Sequence, residues 1–320
     1  MRRACYMAVA ALLAASVTAN AADYPTKPIR VVIPFGAGSA TDVIPRIAFD
    51  QMSKELGQQI VVENRGGAGG TIGEAVVAKA DADGYTLLAA SSAHTIAPAL
   101  YSKLSYSAAR DFTAVGVIGN LGTVLIISPS KGIKTVQEFV AAAKAKPNSF
   151  TFATLGIGSA VHMSAERFRI SAGYKAINVP FKGGAEALTE VIAGRVDYYF
   201  CPISTAMPFI RDGKVLALAV SGRTRSNLLP NVPTTVEAGF ADSDYSVWIG
   251  MFAPAKTPKA IVDKLNAALV KSVETPSVKA KLEALGVQTA AMTPAQFGAQ
   301  VTSEFGTYAA FAKSAGMKIN

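Results

Sequence analysis

Gly36-Ala37-Gly38-Ser39-Ala40 is a five-residue pattern that returns later in the chain as Gly156-Ile157-Gly158-Ser159-Ala160. Each copy follows a short run of β-branched or aromatic residues and precedes a helical pattern of apolar residues. A strand that ends in a glycine turn and opens a helix leaves N–H groups free at the helix start, where the helix dipole also favours negative charge. The two copies therefore predict two lobes that grip one acidic molecule between them.

The first 21 residues are typical of an export signal. Arg2 and Arg3 precede an apolar run over 7–17, and Ala19-Asn20-Ala21 fits the small-residue rule for cleavage. We expect cleavage near Ala21, and the apolar run is too short to span a bilayer comfortably. The remaining chain of about 300 residues is long enough for one large or two medium domains outside the cytoplasmic membrane.

Composition argues against several classes of function. The chain carries a net charge of +9, yet its Lys and Arg residues are scattered without interleaved aromatic residues, so no nucleic-acid partner is expected. It has only two His and two Cys, and cleavage of the signal would leave Cys201 as the single thiol. These residues cannot form a metal site of the usual His and Cys spacing. The sequence thus predicts no metal, no cofactor and no disulfide within the mature chain.

Strands and helices alternate in the first part of the mature chain. Strands are predicted over 29–34, 59–63 and 85–90, with helices over 42–56 and 71–80 between them. A β-α-β-α-β run implies a parallel sheet, because successive parallel strands need a crossover connection.

The middle of the chain repeats this alternation, and the last quarter is mainly helical. Residues 115–128 form a long extended stretch suited to crossing between lobes, and the chain is expected to cross back around 221–231. Three Thr-Pro pairs predict helix starts at 258, 276 and 294 in a last quarter that returns to the first lobe. The other predicted elements are strands over 150–154, 177–181, 197–200, 215–220 and 247–253 and helices over 135–146, 160–172, 185–193 and 203–211.

The candidate ligand-binding residues lie mainly where predicted strands end, since such ends meet at one edge of an open parallel sheet. The two glycine loops come first, and Ser91 and Ser92 end a third strand. A weaker echo of Ile33-Pro34-Phe35-Gly36 occurs at Val179-Pro180-Phe181-Lys182, before two further glycines. The full set of candidates is Phe35, Ala37, Gly38, Ser39, Ala40, Thr41, Asp42, Ser91, Ser92, Thr154, Ser159, Ala160, His162, Gly183, Gly184 and Asp197.

Two other functions fit the glycine loops less well. A dinucleotide-binding fingerprint needs a third small residue, but Thr41 stands there in the first copy and Val161 in the second. A hydrolase would need a base beside Ser159, and the Gly-x-Ser-x-Gly elbow is absent. His162 lies three residues along the same helix, which leaves His94 as the base if the lobes bring it across. An exported hydrolase stays open as an alternative.

Several longer motifs are similar to one family of exported receptors. They are Tyr24-Pro25-x-Lys27-Pro28-Ile29-Arg30, Val61-Val62-Glu63-Asn64-Arg65 with Gly69-Gly70, Asp83-Gly84-Tyr85-Thr86-Leu87-Leu88, Gly158-Ser159 with His162, Val179-Pro180-Phe181-Lys182-Gly183-Gly184, Leu229-Pro230-x-Val232-Pro233-Thr234 and Ala253-Pro254-Ala255-x-Thr257-Pro258. On these motifs the chain resembles the Bug-type solute receptors of tripartite tricarboxylate transporters. The resemblance implies the α/β, two-lobed fold of type II periplasmic binding proteins. Each lobe would be a mostly parallel sheet flanked by helices, with the cleft between the lobes.

The resemblance also implies a function. A periplasmic receptor of this kind captures a small dicarboxylate or aromatic carboxylate and delivers it to a membrane permease, without catalysis. We expect a monomer in which residues 22–122 with 224–320 form one lobe and 123–223 the other. A sensor receptor that presents its ligand to a membrane kinase is the alternative.

The family's site residues map onto the two glycine loops. In that family the loops matching 35–42 and 154–162 line the cleft, and ligand carboxylates meet main-chain N–H groups there, often through ordered waters. The family usually has a Pro and more Gly where 36–40 stands in this chain. Ser39 and Ala40 therefore change this wall of the pocket, and we expect ligand choice to be set there.

Overall fold

The computed structural model describes residues 24–317, so the predicted signal peptide over 1–21 lies outside the described residues. Within this range no helix is long and apolar enough to cross a membrane. The strands are β1 (Ile29–Ile33), β2 (Ile60–Asn64), β3 (Thr86–Ser91), β4 (Phe112–Leu121), β5 (Thr123–Ile127), β6 (Phe150–Thr154), β7 (Ala176–Pro180), β8 (Tyr198–Pro202), β9 (Leu216–Val220), β10 (Val247–Pro254) and β11 (Val287–Thr289). The helices are α1 (Ala40–Leu56), α2 (Thr71–Ala78), α3 (Ala93–Leu100), α4 (Val136–Ala145), α5 (Ala160–Ala172), α6 (Gly184–Ile192), α7 (Ile203–Arg211), α8 (Lys259–Glu274), α9 (Pro276–Ala284) and α10 (Pro294–Ser314).

The first sheet has six strands in the order β11-β4-β10-β3-β1-β2. β1 pairs in parallel with β2 and β3, whereas β10 runs antiparallel to β3 and β4, and β11 runs antiparallel to β4. The strands β1 to β4 therefore share one direction. Side chains alternate along β1, so that Val31 and Ile33 lie in the core cluster shared with α1, α8 and α9, while Val32 lies in the cluster shared with α2 and α10.

The second sheet has five strands in the order β7-β6-β8-β5-β9. β6 pairs in parallel with β7 and β8, and β5 runs antiparallel to β8 and β9, so β5 alone opposes the direction of this sheet. Tyr199 and Cys201 pack under α6 and α7 on one face, and Tyr198 and Phe200 pack under α4 and α5 on the other. The predicted α/β fold with two sheets flanked by helices is confirmed, and both sheets are mixed, with parallel and antiparallel pairs.

The chain first crosses between the sheets at Gly122. The extended stretch predicted over 115–128 is two strands, because β4 ends at Leu121 in the first sheet and β5 begins at Thr123 in the second. The Thr123 side chain is fully buried, and its hydroxyl donates to Ser221 Oγ at 2.8 Å. This bond joins the outgoing strand to the residue that follows β9.

The return crossing takes a longer path than the predicted 221–231. Leu229 and Phe240 still pack in the cores of the second sheet, because the segment after β9 covers part of that lobe. The Tyr245 N–H then donates to the Ser221 carbonyl at 2.7 Å, and β10 begins two residues later. The two crossings thus lie side by side.

Candidate ligand-binding cleft

The carboxyl ends of β1 and β6 lead into the two glycine loops, which face each other across the lobes. The Tyr101 hydroxyl of the first lobe donates to the Ile157 carbonyl of the second loop at 2.9 Å. The cavity between the two glycine loops is about 30 Å³, which is room for a few water molecules at most. The two loops therefore lie close together, and a ligand of several carbon atoms fits between them only when they part. The cavity is lined by Phe35, Ser39, Ala40, Thr41, Ser91, Leu121, Leu155, Ser159, Ala160, Val161, Pro202, Val247 and Ile249.

The first loop keeps the start of α1 open toward this cavity. Gly38 has a φ of +78°, which glycine adopts without strain, and Ser39 is extended at the N-cap. The Gly38 N–H donates to Asp42 Oδ2 at 2.9 Å, which closes the loop onto the helix. Within residues 24–317, the N–H groups of Ala40 and Thr41 donate to no protein group, and the buried Ser39 hydroxyl has no partner. These three groups are available to a ligand.

The second loop has the same backbone but uses its serine differently. Gly158 has a φ of +85°, and Ser159 is extended at the N-cap of α5. Ser159 Oγ accepts from the His162 N–H at 3.3 Å, so this hydroxyl caps the helix. His162 Nδ1 accepts in turn from the Gly158 N–H at 3.3 Å. The N–H groups of Ala160 and Val161 have no protein acceptor among the described residues and are available to a ligand.

Asp42 braces the first loop as a charged group. Its buried carboxylate accepts from the Gly38 N–H, from Asn64 Nδ2 at 2.9 Å and from Arg46 Nε at 2.8 Å. Burial raises the pKa of the Asp42 carboxyl, but these hydrogen bonds and the Arg46 charge outweigh burial and hold the pKa below its ordinary value. The cavity wall does not include Asp42. Its role is to position the backbone that faces the cavity.

His162 braces the second loop as a neutral group. Burial lowers its pKa to about 4, an effect that Glu166 opposes and Arg169 reinforces. Because Nδ1 accepts a hydrogen bond, the ring proton lies on Nε2 at neutral pH. The ring stacks on Phe152 with the centroids 6.2 Å apart. An anion at this loop therefore meets backbone N–H groups rather than an imidazolium.

A third loop, at the start of α6, lies beside the first glycine loop. A methyl group built on Gly36 would be 3.4 Å from the Lys182 carbonyl oxygen. Gly183 is the extended N-cap of α6 and Gly184 its first residue, and no side chain caps this helix. Neither glycine lines the small closed cavity. The loop borders the other lobe next to the cavity.

The structure brings together part of the predicted site. Thr154 donates to Asn178 Oδ1 at 2.7 Å, and Ser92 Oγ shares a hydrogen bond of 2.7 Å with the Tyr245 hydroxyl, so both side chains are engaged within the protein. The predicted residues on the cavity wall are Phe35, Ser39, Ala40, Thr41, Ser91, Ser159 and Ala160. The predicted residues that lie in the three loops without lining the cavity are Ala37, Gly38, Asp42, His162, Gly183 and Gly184.

Asp197 is not brought to the cleft. It precedes β8, at the end of the sheet opposite to Thr154, because β6 and β8 run in parallel. Its carboxylate accepts from the Thr151 N–H at 2.7 Å and forms an ion pair with Lys131. Asp197 therefore links the amino-terminal ends of β6 and β8, which is a structural role.

Sequence reasoning missed the apolar part of the wall. Leu121 and Pro202 are the last residues of their strands, and this position is the one feature of the sequence that could have assigned them to the cleft. An apolar residue in a strand is far more often core, so the signal is weak. The missed residues give the cavity an apolar surface suited to the carbon chain of a ligand. They are Leu121, Leu155, Val161, Pro202, Val247 and Ile249.

The geometry does not support the hydrolase alternative. Ser159 Oγ accepts from a backbone N–H, and His162 Nδ1 is engaged by Gly158. His94 Nδ1 is hydrogen-bonded to Glu74 Oε2 at 2.9 Å, and its Nε2 is buried without a partner within residues 24–317. Neither histidine is placed to take a proton from Ser159. The described residues also contain no group of three or more His, Cys, Asp or Glu side chains that could hold a metal ion.

Comparison with known proteins agrees with this geometry. A family model described as "Tripartite tricarboxylate transporter family receptor" matches residues 44–313. The solved structure of the periplasmic binding protein BugD is 32% identical, covers 92% of this chain and 100% of its own, and has a TM-score of 0.88. R. palustris Rpa4515, solved with adipate, is 30% identical, with coverages of 93% and 100% and a TM-score of 0.88. MatC from Rhodopseudomonas palustris, solved with bound malate, is 33% identical, with coverages of 89% and 99% and a TM-score of 0.85. The chain therefore belongs to the tripartite tricarboxylate transporter receptor family, the Bug-type periplasmic solute-binding proteins.

Proposed function

We propose that this protein captures a small dicarboxylate or aromatic carboxylate between its lobes and delivers it to a membrane permease. The observation that carries the proposal is the convergence of two helix N-termini, those of α1 and α5, on one apolar cavity. Helix dipoles and free N–H groups favour an anion there. The relatives solved with adipate and malate support a carboxylate ligand. The available donors are the N–H groups of Ala40, Thr41, Ala160 and Val161 and the hydroxyl of Ser39.

Backbone groups would balance the ligand charge, since among the described residues no Lys or Arg side chain lines this cavity. A hydrogen bond to a charged group contributes about 1.5–3 kcal/mol. Roughly four to six such bonds, less the cost of closing the lobes, give about −8 kcal/mol, which corresponds to micromolar affinity. A receptor of this affinity captures its cargo and still releases it to a permease.

The proposal also covers the cell compartment and the assembly. We infer that the signal over 1–21 is removed near Ala21 and that the mature protein acts as a monomer without a cofactor. The division into one lobe of 22–122 with 224–320 and another of 123–223 is part of the proposal. The sheet strands support this division, because β5 to β9 form the second sheet and all other strands form the first.

The experiment is isothermal titration of the mature protein, residues 22–320, with a panel of carboxylates. The panel holds malate, succinate, adipate, benzoate and terephthalate, and each acid is matched by its uncharged amide. We expect at least one acid to bind with micromolar affinity and its amide to bind much more weakly, because the helix N-termini recognise charge. Failure of every carboxylate to bind, or equal binding of acid and amide, would contradict the proposal.

Delivery to a permease is tested in the native host with the acid that binds best. Deletion of the gene should abolish uptake of that acid at micromolar concentration, and the intact gene should restore it. Unchanged uptake in the deletion strain would show that the protein binds its ligand for another purpose.

A further inference from the structure

Tyr199 carries a buried hydroxyl that the fold does not use. The side chain is fully buried in the core of the second lobe, and within residues 24–317 its hydroxyl has no hydrogen-bond partner. Its neighbour Tyr198 points to the opposite face of the sheet, where its hydroxyl accepts from the Tyr174 hydroxyl at 2.9 Å. A buried hydroxyl without a partner destabilises the folded state, because it has lost its hydrogen bonds to water. The Tyr199 hydroxyl is therefore a candidate for binding a ligand.

The Tyr199 hydroxyl lies under the start of α6. A methyl group built on Gly184 would be 3.7 Å from the hydroxyl oxygen. Gly184 is the first residue of this nine-residue helix, and the glycine at its N-cap provides no side-chain oxygen for the free N–H groups. The hydroxyl and the helix start therefore meet at a place where both lack a partner within the described chain.

This place borders the proposed ligand cleft. The Lys182 carbonyl lies 3.4 Å from the position of a methyl group on Gly36, which belongs to the first glycine loop. A methyl group built on Gly183 would meet no atom within 4 Å, so this loop faces open space. A ligand held at the first loop thus has the start of α6 within reach across the lobe boundary.

The chemistry of the place selects an oxygen anion. Burial raises the pKa of the Tyr199 hydroxyl well above its ordinary value, so the group stays protonated and donates. Helix N–H groups also donate, and the positive end of the helix dipole favours negative charge. An aromatic ring or a methyl end would leave all of these donors without a partner.

We propose that Tyr199 is a specificity-determining residue whose hydroxyl, with the start of α6, receives the second carboxylate of a dicarboxylate. The inference rests on the proposed function, in which the first carboxylate lies between the starts of α1 and α5. It narrows the ligand class from small carboxylates in general to dicarboxylates. Tyr199 favours dicarboxylates because its hydroxyl donates one hydrogen bond to the second carboxylate, which a monocarboxylate lacks.

The test compares Tyr199→Phe with Tyr198→Phe by isothermal titration of adipate and of hexanoate, its monocarboxylate counterpart. We expect Tyr199→Phe to weaken adipate binding about tenfold, because one charged hydrogen bond is lost. Hexanoate binding should change less than twofold. Tyr198→Phe removes the same atom from the opposite face and should leave both affinities unchanged.

A second variant, Gly184→Ala, gives an independent readout. Its methyl group would be 3.7 Å from the Tyr199 hydroxyl oxygen and would take up space beside that hydroxyl. It should weaken adipate binding and spare hexanoate binding. Tyr199→Phe should also unfold in urea at the same or a higher midpoint than wild type, because it removes an unpaired buried hydroxyl.

Two results would overturn the inference while the proposed function stands. One is adipate binding that stays within twofold of wild type in Tyr199→Phe and Gly184→Ala. The other is a wild-type protein that binds hexanoate or an aromatic monocarboxylate as tightly as any dicarboxylate. A wild-type protein that binds no carboxylate at all would overturn the proposed function and the inference with it.

Discussion

The two glycine loops have the same five-residue pattern and nearly the same backbone, yet their serines do different things. Gly38 and Gly158 have φ values of +78° and +85°, and both serines are extended at an N-cap. Ser159 caps its helix, whereas the Ser39 hydroxyl is buried with no partner within residues 24–317. The backbone is the same in both loops because the glycine allows a positive φ and the serine that follows takes the extended N-cap conformation, and both depend only on the local sequence. The hydroxyl is free in one loop and committed in the other.

The third residue of each helix accounts for a second difference between the loops. It is Asp42 in α1 and His162 in α5, and each accepts a hydrogen bond from the glycine N–H four residues earlier. Asp42 is charged and paired with Arg46, while His162 is neutral because burial lowers its pKa to about 4. One loop is therefore braced by an ion pair and the other by an uncharged ring. One sequence repeat thus provides two anion-facing helix starts with different side-chain chemistry.

The largest expected effect comes from preventing the second glycine loop from meeting the turn at Ala68–Gly70 in the first lobe. Gly69 has a φ of +65°, and a methyl group built there would lie 2.5 Å from the Ile157 carbonyl oxygen in the second loop. Gly69→Ala should therefore keep the lobes from closing and weaken ligand binding more than a hundredfold, or about 3 kcal/mol. Titration calorimetry measures the affinity, and small-angle X-ray scattering of the liganded protein should show a larger radius of gyration.

The matched control for this variant is Gly57→Ala. Gly57 has a φ of +67°, but a methyl group there meets no atom within 4 Å. It bears the same backbone cost of about 1–2 kcal/mol in a left-handed conformation without touching the cleft. Wild-type affinity in Gly69→Ala, or an equal loss in both variants, would show that close contact between Gly69 and the second glycine loop is not needed for binding.

A pH experiment tests whether His162 is neutral in the folded state. The folded state lowers the pKa of His162 from 6.5 to about 4, so the unfolded chain takes up a proton first as the pH falls. Stability from this group is complete above pH 6.5 and is lost between pH 6.5 and 4, by about 3 kcal/mol at 1.36 kcal/mol per pH unit. Urea unfolding at pH 7 and pH 4.5 should show this loss in wild type.

The variant His162→Asn serves as the comparison, because its side-chain oxygen can accept from Gly158 and does not titrate. Its free energy of unfolding should fall much less than that of wild type over the same pH range. Glu166 and Arg169, which face His162, are present in both proteins. Their own contributions to the pH dependence therefore cancel when the two free energies of unfolding are compared. An identical loss in both proteins would mean that His162 is protonated in the folded state.

Local signals explain why much of the fold could be predicted from the sequence. The strand over Phe150–Thr154 and the helix over Ala160–Ala172 have the predicted bounds, because Ser159 caps the helix and Gly173 ends it in a left-handed conformation. α3 was not predicted, since it is short and contains Pro98. The three-residue strand β11 was not predicted either, because pairing with β4 rather than its own pattern defines it.

The site was predicted less completely, because it depends on how the lobes meet. The helix starts at Ser39 and Ser159 carry their own signal, and both line the cavity. Val247 and Ile249 lie in a strand that returns from the other end of the chain, so no neighbouring residue marks them as cavity wall. Asp197 stands at the start of its strand, and only the direction of that strand shows that it faces away from the cleft.

The smallest expected effects come from replacing the two serines. Ser39→Ala should mainly affect ligand binding, and Ser159→Ala should mainly affect stability. Ser39→Ala should change the free energy of unfolding by less than about 0.5 kcal/mol, because the hydroxyl has no partner among the described residues, yet weaken carboxylate binding about tenfold. Ser159→Ala should lower the free energy of unfolding by about 1 kcal/mol through loss of the cap and weaken binding less than threefold. Urea unfolding without ligand and titration calorimetry with ligand measure the two quantities. The same pattern of change in both variants would mean that the repeat gives two equivalent walls, and that ligand choice is not set at the first loop.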